Sequence, residues 1–286
     1  MEKQTFTFKK SLIFLILCIT IPVSAQNTKT LTILHTNDIH SRIEPIDSRS
    51  ADMVSAGKGG YLRIASYVEE TKKENPTVLL FDCGDFSQGT PYYNLFRGEV
   101  EIEMMNIIGY DAGTIGNHEF DYGLKNMANL FRMANFPIVC CNYDVKGTVL
   151  EGLVKPYIIL KKNGLKIGIL GVGTKLEGMV QADKYAGLTY EDPYEKANET
   201  AEILKKKGCD LVICLSHLGL RPSSKDPVCD INLAKESRNI DIILGGHSHT
   251  LMEEPAIYQN MDGQDVYISQ MGRSGIFVGR LDLTFK

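Results

Sequence analysis

The sequence predicts an α/β fold. Three observations carry that expectation. Apolar, strand-like runs alternate with helix-like stretches along the chain. Nearly every candidate functional side chain lies just past one of those runs, as in LTILHTNDIH, TVLLFDCGD, DLVICLSH and DIILGGHSH. A length of 286 residues with 43% hydrophobic content is enough to bury a substantial core, and one large domain is favoured over two small ones. Ligands on loops after strands occupy the place where open sheets usually build their sites. If those strands share a sheet, the ligands converge on one edge.

In chain order, Lys9 and Lys10 precede the apolar run Leu12 to Ile21, followed by Val23-Ser24-Ala25. This is the pattern of a secretory signal peptide, residues 1–25, cleaved before Gln26. The run is too short to cross a bilayer comfortably, so a retained anchor ranks lower. Lipidation at Cys18 ranks lower too, because Leu15-Ile16-Leu17 lacks the small residue expected before a lipobox cysteine. The expectation is therefore a single domain, residues 26–286, exported to a bacterial periplasm or cell surface, with no stable membrane span after cleavage.

Strands are expected at Leu31–His35, Thr77–Phe81, Ala112–Ile115, Pro137–Cys141, Tyr157–Leu160, Lys166–Gly171, Leu211–Leu215, Ile240–Leu244, Val266–Gln270 and Phe277–Phe285. Helices are expected between them. Over Tyr61–Lys73, Leu62, Ala65, Ser66 and Glu69 fall at helical spacing, and Asn75-Pro76 stops the run. Further helices are expected at Val100–Ile108, Leu124–Ala134, Tyr194–Lys207 and Ile231–Glu236, with a polar loop from Arg42 to Lys58. There is no repeat, no low-complexity segment and no linker-like composition.

Charge and cysteine content exclude other classes. The net charge of −4, with no Lys/Arg stripe interleaved with aromatics, argues against binding nucleic-acid polymers by bulk electrostatics. Cys83, Cys140, Cys141, Cys209, Cys214 and Cys229 are numerous enough for several pairings and specify none. Cys83 and Cys214 lie in or beside apolar strand-like runs, where a buried free thiol is commoner. No CxxC supports a thiolate zinc site.

Eight side chains in five short clusters carry the chemistry: Asp38 and His40; Asp85; Asn117 and His118; His217; His247 and His249. Asp-x-His on one turn offers a carboxylate oxygen and an imidazole nitrogen, suited to Zn, Mn or Fe as divalent ions. Gly84-Asp85 lets the backbone turn closely beside an ion, although an Asp after a strand is often only a helix cap. In GNHEFD, Asn117 offers a neutral oxygen while His118 points elsewhere, toward substrate, and Asp121 can orient it. His217 alone would more often be structural. GGHSH shifts the balance, since five of the six histidines fall in these clusters.

DIH, GD, GNHE, a strand-terminal His and GHSH in this order resemble the calcineurin-like metallophosphoesterases. More narrowly, LTILHTNDIHSRIEP, GGYLRIASYV, GDFSQGTPYYNLFRGE and GNHEFDYG resemble the 5′-nucleotidase branch, which includes UDP-sugar hydrolases and 2′,3′-cyclic-nucleotide phosphodiesterases. The resemblance covers the chain from about Thr30 onward. It implies a four-layer αββα sandwich, two mixed sheets flanked by helices. It also implies two divalent metal ions, one held by Asp38, His40, Asp85 and His249, the other by Asp85, Asn117, His217 and His247, with Asp85 bridging. His118 is then the catalytic histidine on the phosphate side, paired with Asp121, and Asn117 and His118 meet the substrate. Some relatives carry Gln at the position of His249, which leaves the metal preference of the first site open.

The implied chemistry is phosphoester hydrolysis, with nucleotides first among substrates. Two ions about 3.5–4 Å apart bind a phosphate oxygen and generate a hydroxide for in-line attack. UDP-sugars and 2′,3′-cyclic nucleotides are alternatives. A second class of function, an exported subunit that keeps the metals without turnover, leaves the His118–Asp121 pair without a purpose. Secreted 5′-nucleotidases usually continue into a second domain that recognises the nucleoside through stacked aromatics. This sequence stops at Lys286 after GIFVGRLDLTFK, so the expectation is either broad or different phosphoester preference or completion by a separately encoded C-terminal domain. GILGVG lacks full dinucleotide-binding spacing, Lys205–Lys207 complements a helix terminus, and the sequon Asn198-Glu199-Thr200 sits in a helical run.

Overall fold

The structure is a computed structural model that describes residues 28–223 and 227–285. The expected signal peptide and Cys18 lie outside the described residues. In the first half, β1 (Lys29–Thr36), α1 (Tyr61–Glu74), β2 (Val78–Asp82), α2 (Pro91–Phe96), α3 (Glu99–Ile108), β3 (Ala112–Gly113), α4 (Gly123–Met133), β4 (Ile138–Val139), β5 (Tyr143–Asp144) and β6 (Val154–Lys155) follow one another. In the second come β7 (Tyr157–Lys162), β8 (Leu165–Gly173), β9 (Thr189–Tyr190), α5 (Pro193–Lys206), β10 (Leu211–His217), α6 (Asp230–Glu236), β11 (Ile242–Leu244), β12 (Ala256–Gln259), β13 (Asp265–Ser269) and β14 (Gly279–Phe285).

Two six-stranded sheets run β14-β1-β2-β3-β4-β6 and β12-β13-β11-β10-β8-β7. Both are mixed: β1, β2, β3, β4 and β6 are parallel with β14 antiparallel, while β8, β10, β11 and β13 are parallel with antiparallel β7 and β12 at the edges. The period of two along each strand divides the core into three. Leu31, Ile33, Leu79, Phe81, Ile167, Ile169, Leu211, Ile213, Ile242 and Leu244 face one another between the sheets. The alternate residues, such as Leu34 and Leu80 or Val212 and Cys214, pack outward. Leu34 and Leu80 join Ile64, Val68, Ile102 and Leu130 of α1, α3 and α4, and Val212 and Cys214 join Ala197, Ala201 and Leu233 of α5 and α6. Helix, sheet, sheet, helix is the four-layer αββα sandwich.

Because both faces of each central strand are buried, these strands are continuous apolar runs, and they stood out in the sequence. The five expected helices form within a residue or so of their bounds. Asn75 caps α1, and Asp192 caps α5 by accepting from the N–H groups of Tyr194 and Glu195. Not anticipated were α2, six residues opened by Pro91, the two-residue strands β5, β6 and β9, and the edge strand β12. Segments this short carry no periodicity to read. The strands expected from Ile240 and Phe277 begin later, at Ile242 and Gly279.

Glycines of GILGVG serve packing rather than phosphate binding. They lie in β8, and a Cβ on Gly171 would collide with the Val139 carbonyl oxygen of the facing sheet. All six cysteines of the described residues are free. Among the described residues no helix is long and apolar enough to cross a membrane.

Candidate metal centre

The ligands do not share one sheet edge. Asp38 and His40 follow β1, Asp85 follows β2 and Asn117 follows β3, whereas His217 ends β10 and His247 and His249 follow β11. They meet where the C-terminal ends of parallel strands from both sheets come together. The loops continue the pairing of β1 with β2: the N–H groups of Asp38 and His40 donate to the carbonyls of Gly84 and Asp85, both at 3.0 Å. Asp38, His40, Asp85, His247 and His249 have φ of 51°, 51°, 56°, 71° and 52°. Left-handed backbone is uncommon outside glycine, and its concentration here marks loops held in strained turns by their surroundings. Gly116 allows the closest approach, since a Cβ there would collide with Asp85 Oδ1.

Six predicted ligands form two groups, Asp38 with His40 and His249, and Asp85 with His217 and His247, each with ligand atoms within 4.8 Å of one another. In the first, His40 Nε2 and His249 Nε2 are 2.9 Å apart, and Asp38 Oδ1 lies 3.4 Å from His249 Nε2. In the second, His217 Nε2 stands 3.1 Å from Asp85 Oδ2 and 3.9 Å from Asp38 Oδ1, so the groups abut. Asp38 also accepts the His247 N–H, at 2.9 Å. Asp85, expected between two ions, groups by distance with His217 and His247; its charge also reaches His40.

The donor set fits cations. Two imidazole nitrogens face each other across 2.9 Å, and Asn117 Oδ1 is buried with no hydrogen-bond partner. An orphaned acceptor such as Asn117 Oδ1 is expensive unless a cation satisfies it. Burial lowers the pKa of His40 and takes His247 down to about 4, favouring the neutral imidazoles that bind metals. Burial also opposes charge on His217, but Asp85 and Asp38 outweigh it and raise His217 to about 10, so a proton there balances the carboxylates. Its Nδ1 is held by the Cys83 carbonyl at 2.7 Å, which aims Nε2 at the acids.

His118 stands beside these groups. Its Nδ1 lies 3.2 Å from Asp121 Oδ2, as the sequence predicted, and that hydrogen bond, opposed by desolvation and helped by Asp85, raises its pKa. His118 and its neighbours His40 and His249 line a cavity of about 400 Å³. Tyr93 donates to the His118 carbonyl at 3.1 Å, and the His118 N–H donates to Asp85 Oδ1 at 2.9 Å.

Three supporting residues had no role in the sequence reading. Glu119 accepts from the N–H groups of Asp85, Ser87 and Gly116, tying two ligand loops together. Burial, then the Asp85 charge, push its carboxyl up to about 7. Gln270 accepts from Thr250 N–H and Ser248 Oγ and donates to Gly246 O, bracing the loop that carries His247 and His249. Asn37 donates to Asp38 Oδ2 and Gly272 O. Glu119 lies within GNHE, the one sequence signal that could have found it; nothing in the sequence links Gln270 or Asn37 to the loops they brace.

The family model for calcineurin-like phosphoesterases matches residues 31–251. The chain is 32% identical over 286 residues to snake venom 5′-nucleotidase of Crotalus adamanteus, covering 94% of this chain and 47% of that protein. It is 32% identical over 274 residues to 5′-nucleotidase of Homo sapiens, covering 89% and 46% respectively. The chain thus spans about half the length of these curated relatives. Among solved structures, a 5′-nucleotidase precursor from Thermus thermophilus superposes with a TM-score of 0.78 at 31% identity, covering 90% of this chain and 52% of that one. The calcineurin-like phosphoesterase YfkN from Bacillus subtilis gives a TM-score of 0.75 at 29% identity, covering 91% and 86%.

Proposed function

Because the chain belongs to the calcineurin-like phosphoesterase family, we propose that it is an exported hydrolase of phosphate esters, acting foremost on nucleotides in the manner of 5′-nucleotidases. The observation that carries this reading is the convergence, from two sheets, of two carboxylate–imidazole groups on a cavity edged by an Asp-held histidine. Two divalent ions, when bound, supply Lewis acidity toward a phosphoryl oxygen and a nucleophilic oxygen at neutral pH. Asp38, His40, Asp85 and His249 would hold one, and Asp85, Asn117, His217 and His247 the other.

The chain's own groups do the rest. Asp121 fixes the His118 ring by its Nδ1, leaving Nε2 as the nitrogen available to substrate. Protonated at Nε2, His118 stabilises charge growing on the phosphoryl oxygens or delivers a proton to the leaving alkoxide. Glu119 and Gln270 keep the ligand loops in register while this happens. Export to a bacterial periplasm or surface is supported by the signal-peptide pattern of residues 1–25.

The test is Mn²⁺-dependent phosphate release by the chain lacking residues 1–25, from AMP, UDP-glucose, a 2′,3′-cyclic nucleotide and an aryl phosphate. Turnover of AMP that disappears in Asp85→Asn is the expected result. Metal-loaded protein that hydrolyses none of the four would overturn the proposal.

A further inference from the structure

We infer that Arg42 and Arg273 form a second anion-binding subsite in the cavity beside the metal-ligand groups, so that the preferred ligand carries a second anionic group, phosphoryl or carboxylate. This rests on the phosphoesterase reading of the same cavity and narrows its substrate class.

Both arginines line the cavity with His40, His118 and His249. Among the described residues neither guanidinium takes part in an ion pair or a side-chain hydrogen bond, and Arg42 Nε is buried with no partner. With no carboxylate paired to either guanidinium, the charge of each is left for an anion in the cavity to meet. The one carboxylate of this lining outside the ligand groups, Asp52, is already engaged, its Oδ2 accepting from Ser55 Oγ at 2.6 Å and its Oδ1 from the Val54 N–H at 3.1 Å. Arg273 reaches Asp52 only through its charge, the weakest of the influences on that carboxyl. The wall therefore carries two permanent cations against one committed acid, in a chain whose net charge is −4.

The backbone that carries each cation is also held in place relative to the ligand loops. Arg42 lies two residues beyond His40; its N–H donates to Ile39 O at 3.2 Å, and its carbonyl accepts from Tyr61 N–H at 2.9 Å. Arg273 sits on a segment stapled to the Asp38 loop. Met271 N–H donates to Asn37 Oδ1 at 2.9 Å, Asn37 Nδ2 donates to Gly272 O at 2.8 Å, and Ser274 N–H donates to Asp38 O at 2.7 Å. A planar guanidinium fork carried on a fixed backbone matches phosphoryl and carboxylate oxygens in pairs. The ligand groups, Asn117 and His118 already provide for the reacting phosphoryl group, so the arginines are left for a second anion.

Calorimetric titration of the Mn²⁺-loaded chain with propylphosphonate, 3-phosphonopropionate and propane-1,3-bisphosphonate tests this without turnover. The two doubly anionic probes are expected to bind more tightly than propylphosphonate, and that ratio to fall about ten-fold in Arg273→Gln and in Arg42→Gln. Arg49→Gln, which removes an exposed cation paired with Asp47 outside the cavity, should leave the ratio unchanged. Arg273 is exposed, so its variant keeps the test valid even if Arg42→Gln unfolds. A preference for either doubly anionic probe that falls in Arg273→Gln supports the inference and identifies the second group as carboxylate or phosphoryl. An unchanged ratio in Arg273→Gln overturns it, leaving solvated arginines, as does equal weakening of all three probes, which assigns Arg273 to the reacting group. If no probe binds the metal-loaded wild type, the phosphoesterase reading falls and this inference with it.

Discussion

His118 touches no predicted metal ligand with its side chain except edge-on to His40, at a ring separation of 5.4 Å, and its Nδ1 is occupied by Asp121. Replacing His118 with Asn is therefore expected to lower kcat by roughly 10²–10⁴-fold, the range of a lost general acid, while elemental analysis finds metal content unchanged. Asp85→Asn should behave differently. It removes a charge from the centre of the ligand set, so bound metal falls too, and affinity drops by more than the roughly 10–100-fold typical of residues that only orient ligands. The sixth histidine has a separate consequence. His35 lies fully buried between the sheets, its Nε2 3.1 Å from Ser269 Oγ, and burial lowers its pKa to about 4. As pH falls below about 6.5, the unfolded chain protonates His35 and the folded chain does not, so stability is lost between about 6.5 and 4. The loss approaches roughly 3 kcal/mol, and chemical denaturation of His35→Gln across that window should show a flatter pH dependence.

At the scale of elements, loops and strands are locked together by groups too far apart in sequence to be paired by inspection. Glu119 joins the loops after β2 and β3 through three backbone N–H groups. Glu119→Gln turns an NH₂ toward N–H donors, and is expected to cost about 1–3 kcal/mol in urea unfolding and to weaken Mn²⁺ binding in titration. Gly171 lies where the facing sheet comes so close that a Cβ would collide first with the Val139 backbone carbonyl, which is not free to move aside. Gly171→Ala should destabilise by about 1–3 kcal/mol, read as a lower urea midpoint with an unchanged slope. The helices that the sequence made legible are those with helical spacing of apolar residues, and the strands are those inside apolar runs, even where, as in β3 and β4, only two residues pair. The two-residue strands β5, β6 and β9, and α2, lie outside such runs and owe their conformation to neighbours already in place.

For the whole molecule, ions held at this centre would join the two sheets, because β1 and β2 supply ligands from one and β10 and β11 from the other. Metal binding should then stabilise the fold, by about 2.7 kcal/mol at a hundred-fold excess over Kd. Chelation is expected to lower the thermal midpoint of the wild type and to shift that of Asp85→Asn much less. Much of this was written in the sequence: buried strands as apolar runs, ligand types just after them, and the order of motifs all follow from local chemistry. The sequence by itself determined which ligand-type side chains would sit just after strands, since side-chain chemistry and strand burial are properties of single residues and short segments. Only the tertiary structure decided that the ligands come from two sheets, that Asp85 groups with His217 and His247, and that Gln270, Asn37 and Arg273 stand behind or beside them. Those relations depend on contacts between loops far apart in sequence, such as Asn37 with Gly272, 235 residues away, which no local pattern encodes.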